Sequence, residues 1–212
     1  MARCKRRRRG TGSPRRRAQH EGDPFVRRAR AEGWRSRAAL KLEAIDERDG
    51  VFRPGQVVVD LGAAPGGWSQ LAAERVAPGG VVIAIDRLEI PPISGVTCLE
   101  ADFSEPEGLQ AVDDALGGRS VDVVLSDMAP NLTGHAAVDQ PAAMGLAELA
   151  ADFASQYLER DGCFVVKVFQ GEGFDSFRQD LARRFARVRV RKPDASRSGS
   201  REVYLLAREP AL

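Results

Sequence analysis

The sequence predicts an α/β fold with a mostly parallel central sheet and helices on both faces. Two observations predict it. Short apolar runs of strand length alternate with helix-length segments from residue 57 onward, the pattern of strands covered on both sides by crossover helices. Charged residues recur where those runs end, at Asp60, Asp86, Asp102, Asp127 and Lys167. In an open parallel sheet that edge is where ligands bind. A chain of 212 residues suits one such domain with a sizeable core and some tail.

Residues 1–22 are rich in Arg, Gly, Ser and Pro and are expected to form a disordered basic arm, with a single domain over 23–212. From Asp23, the apolar positions Phe25, Val26, Ala29, Trp34, Ala38, Ala39, Leu42 and Ile45 fit one or two short amphipathic helices. Ser36 is the expected cap of the helix carrying Lys41. Pro54-Gly55 then turns the chain.

Val57–Leu61 reads as the first strand, followed by a glycine-rich loop and a helix over 68–76. Val81–Ile85 is the second strand, closing on Asp86, and Val96–Leu99 the third. A helix over 107–116 leads to a fourth strand, Val121–Leu125, ending at Ser126-Asp127. A long helix from about 140 to 158 precedes a fifth strand, Cys163–Val168. The last elements are a helix over 174–185, a short edge strand Arg187–Val190, and a strand Val203–Ala207.

A net charge of +2 conceals a division. Residues 1–37 hold 14 Lys/Arg against 3 Asp/Glu and the rest hold 18 against 27, so a leader of +11 joins a body of −9. Such an arm suits a polyanion, with salt-dependent and unspecific affinity. Further cations, Arg27, Arg28, Arg30, Arg35 and Arg37 at one end and Arg183, Arg184, Arg187, Arg189, Arg191 and Lys192 at the other, are expected to form two banks gripping phosphates. No run approaches the roughly 20 apolar residues of a membrane span. Cys4, Cys98 and Cys163 lack metal-ligand spacing, so no metal site is expected, and a reducing cytoplasm is the plain reading.

The segment Asp60-Leu61-Gly62-Ala63-Ala64-Pro65-Gly66-Gly67-Trp68 follows a strand and opens a helix. Glycine there permits close ligand approach, and the helix start offers unpaired N–H groups. The spacing is neither G-x-G-x-x-G nor G-x-x-x-x-G-K-[ST], which disfavours a pyrophosphate ligand. Asp86, 26 residues after Asp60, can accept from ribose hydroxyls. Asp102 can engage an adenine amino group, with Phe103 beside the ring. Trp68 either packs over the ligand or anchors its helix to the sheet.

DLGAAPGGWSQ at 60–70, SDMAPN at 126–131, VVKVFQG at 165–171, SREVYLLA at 200–207 and RSRAALKL at 35–42 together resemble the heat-shock-associated, FtsJ-like family of uridine 2′-O-ribose methyltransferases of large-subunit (23S) ribosomal RNA. The resemblance spans roughly residues 24–208. It implies a Rossmann-like, S-adenosylmethionine-dependent methyltransferase fold. It also implies methyl transfer to a uridine 2′-hydroxyl in the peptidyl-transferase A-loop, on rRNA or the assembled large subunit, late in ribosome assembly. Gly66, Trp68, Asp86, Asp102 and Asp127 match the family's cofactor positions; Lys41, Asp127, Lys167 and Glu202 match its catalytic tetrad. A monomer without membrane or DNA partners is expected.

The chemistry asks for such a quartet. A ribose hydroxyl must lose its proton as it attacks a sulfonium methyl group, and Lys167 is the candidate base if neutral. Asp127 can orient it, Lys41 can hold the hydroxyl or a phosphate, and Glu202 can position a lysine. Read without the family, Lys167 could be a snorkelling or edge-strand residue, and Lys41 and Glu202 a surface salt bridge. No aromatic follows Pro130-Asn131, which disfavours an extruded base without excluding base methylation. Another RNA ribose, including one in tRNA, or noncatalytic assembly binding are the competing functions. Two departures from the family are Leu40, where an aromatic residue is common, and an arm unusually rich in arginine.

Overall fold

A computed structural model describes residues 23–130, 133–197 and 199–211. The basic arm at 1–22, with Cys4, and Asn131 of the Pro130-Asn131 pair lie outside the described residues. In chain order the elements are α1 (Pro24–Ala31), α2 (Ala38–Asp49), β1 (Val57–Leu61), α3 (Gly67–Val76), β2 (Val81–Asp86), β3 (Val96–Glu100), α4 (Pro106–Leu116), β4 (Val121–Ser126), α5 (Ala136–Tyr157), β5 (Leu158–Phe169), α6 (Phe174–Arg184), β6 (Phe185–Arg191) and β7 (Glu202–Pro210).

The seven strands lie in the order β3-β2-β1-β4-β5-β7-β6. β7 pairs antiparallel with both neighbours, while the other pairs are parallel. The alternation of side chains in β1 shows how both faces are filled. Val58 joins a cluster with Leu42 and Ile45 of α2 and Leu71 of α3. Val59 and Leu61 join a larger one with Val112 of α4, Ala150 of α5 and Leu181 of α6. Strands buried on both faces read as unbroken apolar runs, which is why β1, β2 and β4 stand out in the sequence. Strand order reverses between β1 and β4, the switch point where such sheets bind ligands.

Differences from expectation have local causes. β5 begins at Leu158, five residues early, because the polar stretch Glu159–Asp161 is exposed and its pairing with β4 shifts register between Val121 and Val123. α5 starts at Ala136 and carries Pro141 inside it. Ser36 does not cap α2: Arg37 holds the cap position and makes no side-chain capping bond. The Ser36 hydroxyl is instead buried and unpartnered. α1 has a conventional start, with the Asp23 carboxylate accepting from Phe25 N at 3.0 Å and Pro24 opening the helix.

Candidate active site

Beyond the ends of β1, β2, β3 and β4 lies a cavity of about 710 Å³, lined among others by Gly62, Ala64, Asp86, Asp102, Phe103 and Asp127. Gly62 and Ala64 of the glycine loop line it, whereas Gly66 is not among its lining residues. Gly66 precedes α3 with φ +100°, and a Cβ there would come within 2.5 Å of Ile93. Any side chain would therefore be strained and would collide. A Cβ on Gly62 would overlap Met128, and one on Gly67 the Ser36 hydroxyl.

Asp86 braces the loop as it faces the cavity: its carboxylate accepts from Ala64 N at 2.9 Å and Leu88 N at 2.8 Å. Asp102 accepts from the Ser104 hydroxyl and backbone N–H at 2.6 and 2.9 Å, and those bonds hold its carboxyl below the usual range. Phe103 touches the cavity but is mostly core, edge-on to Phe153. Trp68 takes the second of its two readings. Its ring is buried against Tyr204 of β7, and Nε1 donates to Ala38 O at 2.8 Å, so the side chain anchors α3 to the sheet and to α2 while the residue also borders a small cavity at the glycine loop.

Asp60 is wholly buried; one carboxylate oxygen accepts from Ser69 Oγ at 2.6 Å and the other has no partner. Burial pushes its carboxyl up to about 7, against the pull of the Ser69 bond. Its lone oxygen and the lone Ser36 hydroxyl share a small cavity with the glycine loop and Asp127. Buried polar atoms without a protein partner mark a place for a water or a ligand group. An acceptor beside a hydroxyl and a helix start suits the ammonium and carboxylate of an amino-acid moiety.

On the far side of Asp127 the predicted quartet converges. Lys167 Nζ is 2.9 Å from Asp127 Oδ1 and also donates to the Asp127 carbonyl. Lys41 Nζ is 2.5 Å from Glu202 Oε1. The edge-strand reading of Lys167 fails, since β5 lies between β4 and β7. The surface reading of Lys41 and Glu202 fails as well, since their side chains are 11% and 14% exposed. Burial raises the Glu202 carboxyl, but the charge and hydrogen bond of Lys41 more than offset this and hold it below its usual range.

Tyr204 joins the two pairs, and the sequence reading missed it. Its hydroxyl is 3.2 Å from Lys41 Nζ, 3.0 Å from Glu202 Oε1 and 3.3 Å from Asp127 Oδ1. Burial, with the two carboxylates, raises its phenol well above its ordinary value, so it stays a neutral donor. The period-two rule applied to Glu202-Val203-Tyr204 would have found it, because residues i and i+2 of a strand share a face.

The chain matches the family described as FtsJ-like methyltransferase over residues 34–210. It belongs to that family. It is 76% identical to the ribosomal RNA large subunit methyltransferase E of Halorhodospira halophila over the full length of both chains. To the enzyme of that name from Alkalilimnicola ehrlichii it is 56% identical, covering 96% of this chain and 97% of that one. Among solved structures, a ribosomal RNA methyltransferase of Plasmodium falciparum superposes with a TM-score of 0.76 at 26% identity, over 84% of this chain and 98% of that one. The chain is thus a methyltransferase of Rossmann-like fold, and its cofactor is S-adenosylmethionine.

The departure at Leu40 has a structural reading. Leu40 packs with Ala29 and Ala195 in a small buried cluster, filling core where a stacking ring would otherwise sit. The two expected cationic banks are largely neutralised within the protein. Arg189 and Arg191 pair with Asp49, Arg187 with Glu209, and Arg184 with Asp152 and Asp180. Arg37 pairs with Asp23, and Arg35 donates to the carbonyls of Pro91 and Pro92.

Proposed function

We propose that this protein transfers the methyl group of S-adenosylmethionine to the 2′-hydroxyl of a uridine ribose in large-subunit (23S) ribosomal RNA, in the A-loop, late in subunit assembly. It acts as a cytoplasmic monomer without membrane or DNA partners. One observation carries the reaction type. Asp127 lines the cofactor cavity and also holds Lys167, so the lysine stands at the boundary between donor and acceptor. The close likeness to large-subunit rRNA methyltransferases supports the choice of RNA.

In this reading Gly66 and Trp68 contribute backbone at the helix start, while Asp86 and Asp102 face the nucleoside of the cofactor. Asp60 and Ser36 face its amino-acid end. The cofactor supplies an electrophilic methyl group on a sulfonium. The Asp127 carboxylate and carbonyl both accept from Lys167; once the ammonium has given up a proton, these two bonds take its remaining donors and leave its lone pair for the ribose proton. As the ribose oxygen takes the methyl group in place of its hydrogen, Lys167 Nζ would take that proton, with the demethylated cofactor as the other product. Lys41, charged and anchored by Glu202, offers a positive partner for the developing oxyanion. Tyr204 keeps the two ion pairs in register.

Labelled methyl transfer to large subunits lacking the modification, followed by nucleotide mapping, tests the reading. A uridine 2′-O-methyl is the expected product, and a base-linked methyl overturns it.

A further inference from the structure

Beside the quartet lies a second cavity, of about 260 Å³, in which Gln140, Phe169, Gly199, Ser200 and Arg201 form much of the wall. Nothing in the reaction above uses it. The sheet register fixes its place: Phe169 pairs with Glu202 and Lys167 with Tyr204, and Gln170 N donates to Arg201 O at 2.9 Å. The cavity therefore opens two residues beyond Lys167, roughly 7 Å along the strand.

Resting on the ribose reading, we propose that this cavity seats the nucleotide next to the reacting ribose, with Arg201 gripping its phosphate. The walls are built in advance. The Gln140 amide nitrogen donates to Phe169 O at 2.9 Å and Glu172 O at 3.0 Å, which turns its oxygen away as an acceptor. Bare backbone at Gly171 lets this amide and the Arg201 guanidinium approach; a Cβ there would lie 3.2 Å from the one and 3.3 Å from the other. Ser200 Oγ accepts from Glu202 N at 3.1 Å, fixing the cavity wall to the catalytic carboxylate's own backbone.

Charge selects the occupant. Lys192, Arg197 and Arg201 stand exposed in one loop, and among the described residues none has a carboxylate within ion-pair distance, unlike the arginines of β6. Lys192 donates to Ser200 O at 3.1 Å, placing a second cation on the same loop. Arg197 lies near enough to Arg37 to help burial lower that guanidinium. Like charges gathered without a protein anion suit a polyanion. The acid in the wall, Asp139, is occupied by the Thr133 N–H and hydroxyl and the Gly134 N–H.

Steady-state transfer to unmodified large subunits, alongside equilibrium RNA binding across salt concentrations, tests the proposal. Arg201→Ala is expected to raise KM for RNA roughly 10-fold and to lower the salt slope of binding by about one, with little change in kcat or cofactor affinity. Arg201→Lys should recover most of the loss. Gly199→Trp, which fills open space, should raise KM with the salt slope intact. Arg160→Ala, an exposed cation at the other end of β5, should change neither. If Arg201→Ala keeps wild-type KM and salt slope, or Gly199→Trp keeps wild-type KM, the subsite is overturned while the ribose reading stands. An Arg201-dependent KM with methyl placed off the ribose would overturn the ribose reading and leave the subsite intact.

Discussion

The two halves of the active site are built by different means. The proposed cofactor half is local: Gly62, Gly66, Asp86 and Asp102 lie within about forty residues, beyond the ends of three neighbouring strands. The quartet half is non-local and made of side chains: Lys41, Asp127, Lys167 and Glu202 come from four separated segments, joined by ion pairs and one tyrosine. A local site depends on turn geometry. A side-chain site depends on mutual neutralisation, because buried lysines and carboxylates each need the other. Substitutions should therefore divide, with the first half controlling affinity for the cofactor and the second controlling turnover.

Lys167→Ala should give the largest effect, a fall in kcat of about 10²- to 10⁴-fold, the usual range for loss of a positioned base. Cofactor affinity measured by calorimetry should stay within a few-fold of wild type. A comparable loss of affinity would erase the proposed division. Gly66→Ala should do the converse. Strain at φ +100° and collision with Ile93 should weaken cofactor binding about 10-fold or more, while kcat at saturating cofactor is mostly kept.

Tyr204→Phe sharpens the comparison within the quartet. It leaves all four charges and the ring packing on Trp68, and removes only the hydroxyl between the ion pairs. Each buried group that loses a hydrogen-bond partner costs roughly 1–3 kcal/mol, so a drop in kcat of about 10-fold and a lower Tm are expected, with cofactor affinity unchanged. Wild-type turnover in this variant would show that the two pairs act separately.

The same contrast explains what the sequence disclosed. Asp60 to Trp68 is a contiguous strand–turn–helix signal, and β1, β2 and β4 are unbroken apolar runs, so cofactor side and sheet were readable from chain order. The quartet was not: nothing in local pattern brings Lys41 of α2 to Glu202 of β7, and only the family motifs connected them. The side-chain chemistry of Ser36 suits a helix cap, but its hydroxyl faces the glycine loop instead. Neutralisation of Arg187, Arg189 and Arg191 was equally hidden, since Asp49 and Glu209 are remote from them in sequence. Charge counts along a chain do not reveal which charges meet.

The smallest effect on the proposed function concerns Asp60, where the cofactor half also depends on a buried group. Burial lifts its carboxyl to about 7 in the folded protein, against about 3.8 for the exposed group in the unfolded chain. Well below pH 4 both states are protonated, so the group makes no difference to stability. As pH rises from 4 to 7 the unfolded chain ionises first, and the folded apoprotein loses stability, by at most about 4 kcal/mol once both are ionised. Asp60→Asn should remove that loss: its oxygen still accepts from Ser69, and the apoprotein should melt higher than wild type at pH 8 but nearly alike at pH 4. Cofactor binding should move oppositely. If the ionised Asp60 oxygen receives the amino-acid ammonium, wild-type affinity rises several-fold between pH 6 and 8, and the Asn variant shows a flat profile. Calorimetry across that range decides it: a parallel rise in both proteins would assign the proton to another group and leave Asp60 as a structural carboxyl tying β1 to α3.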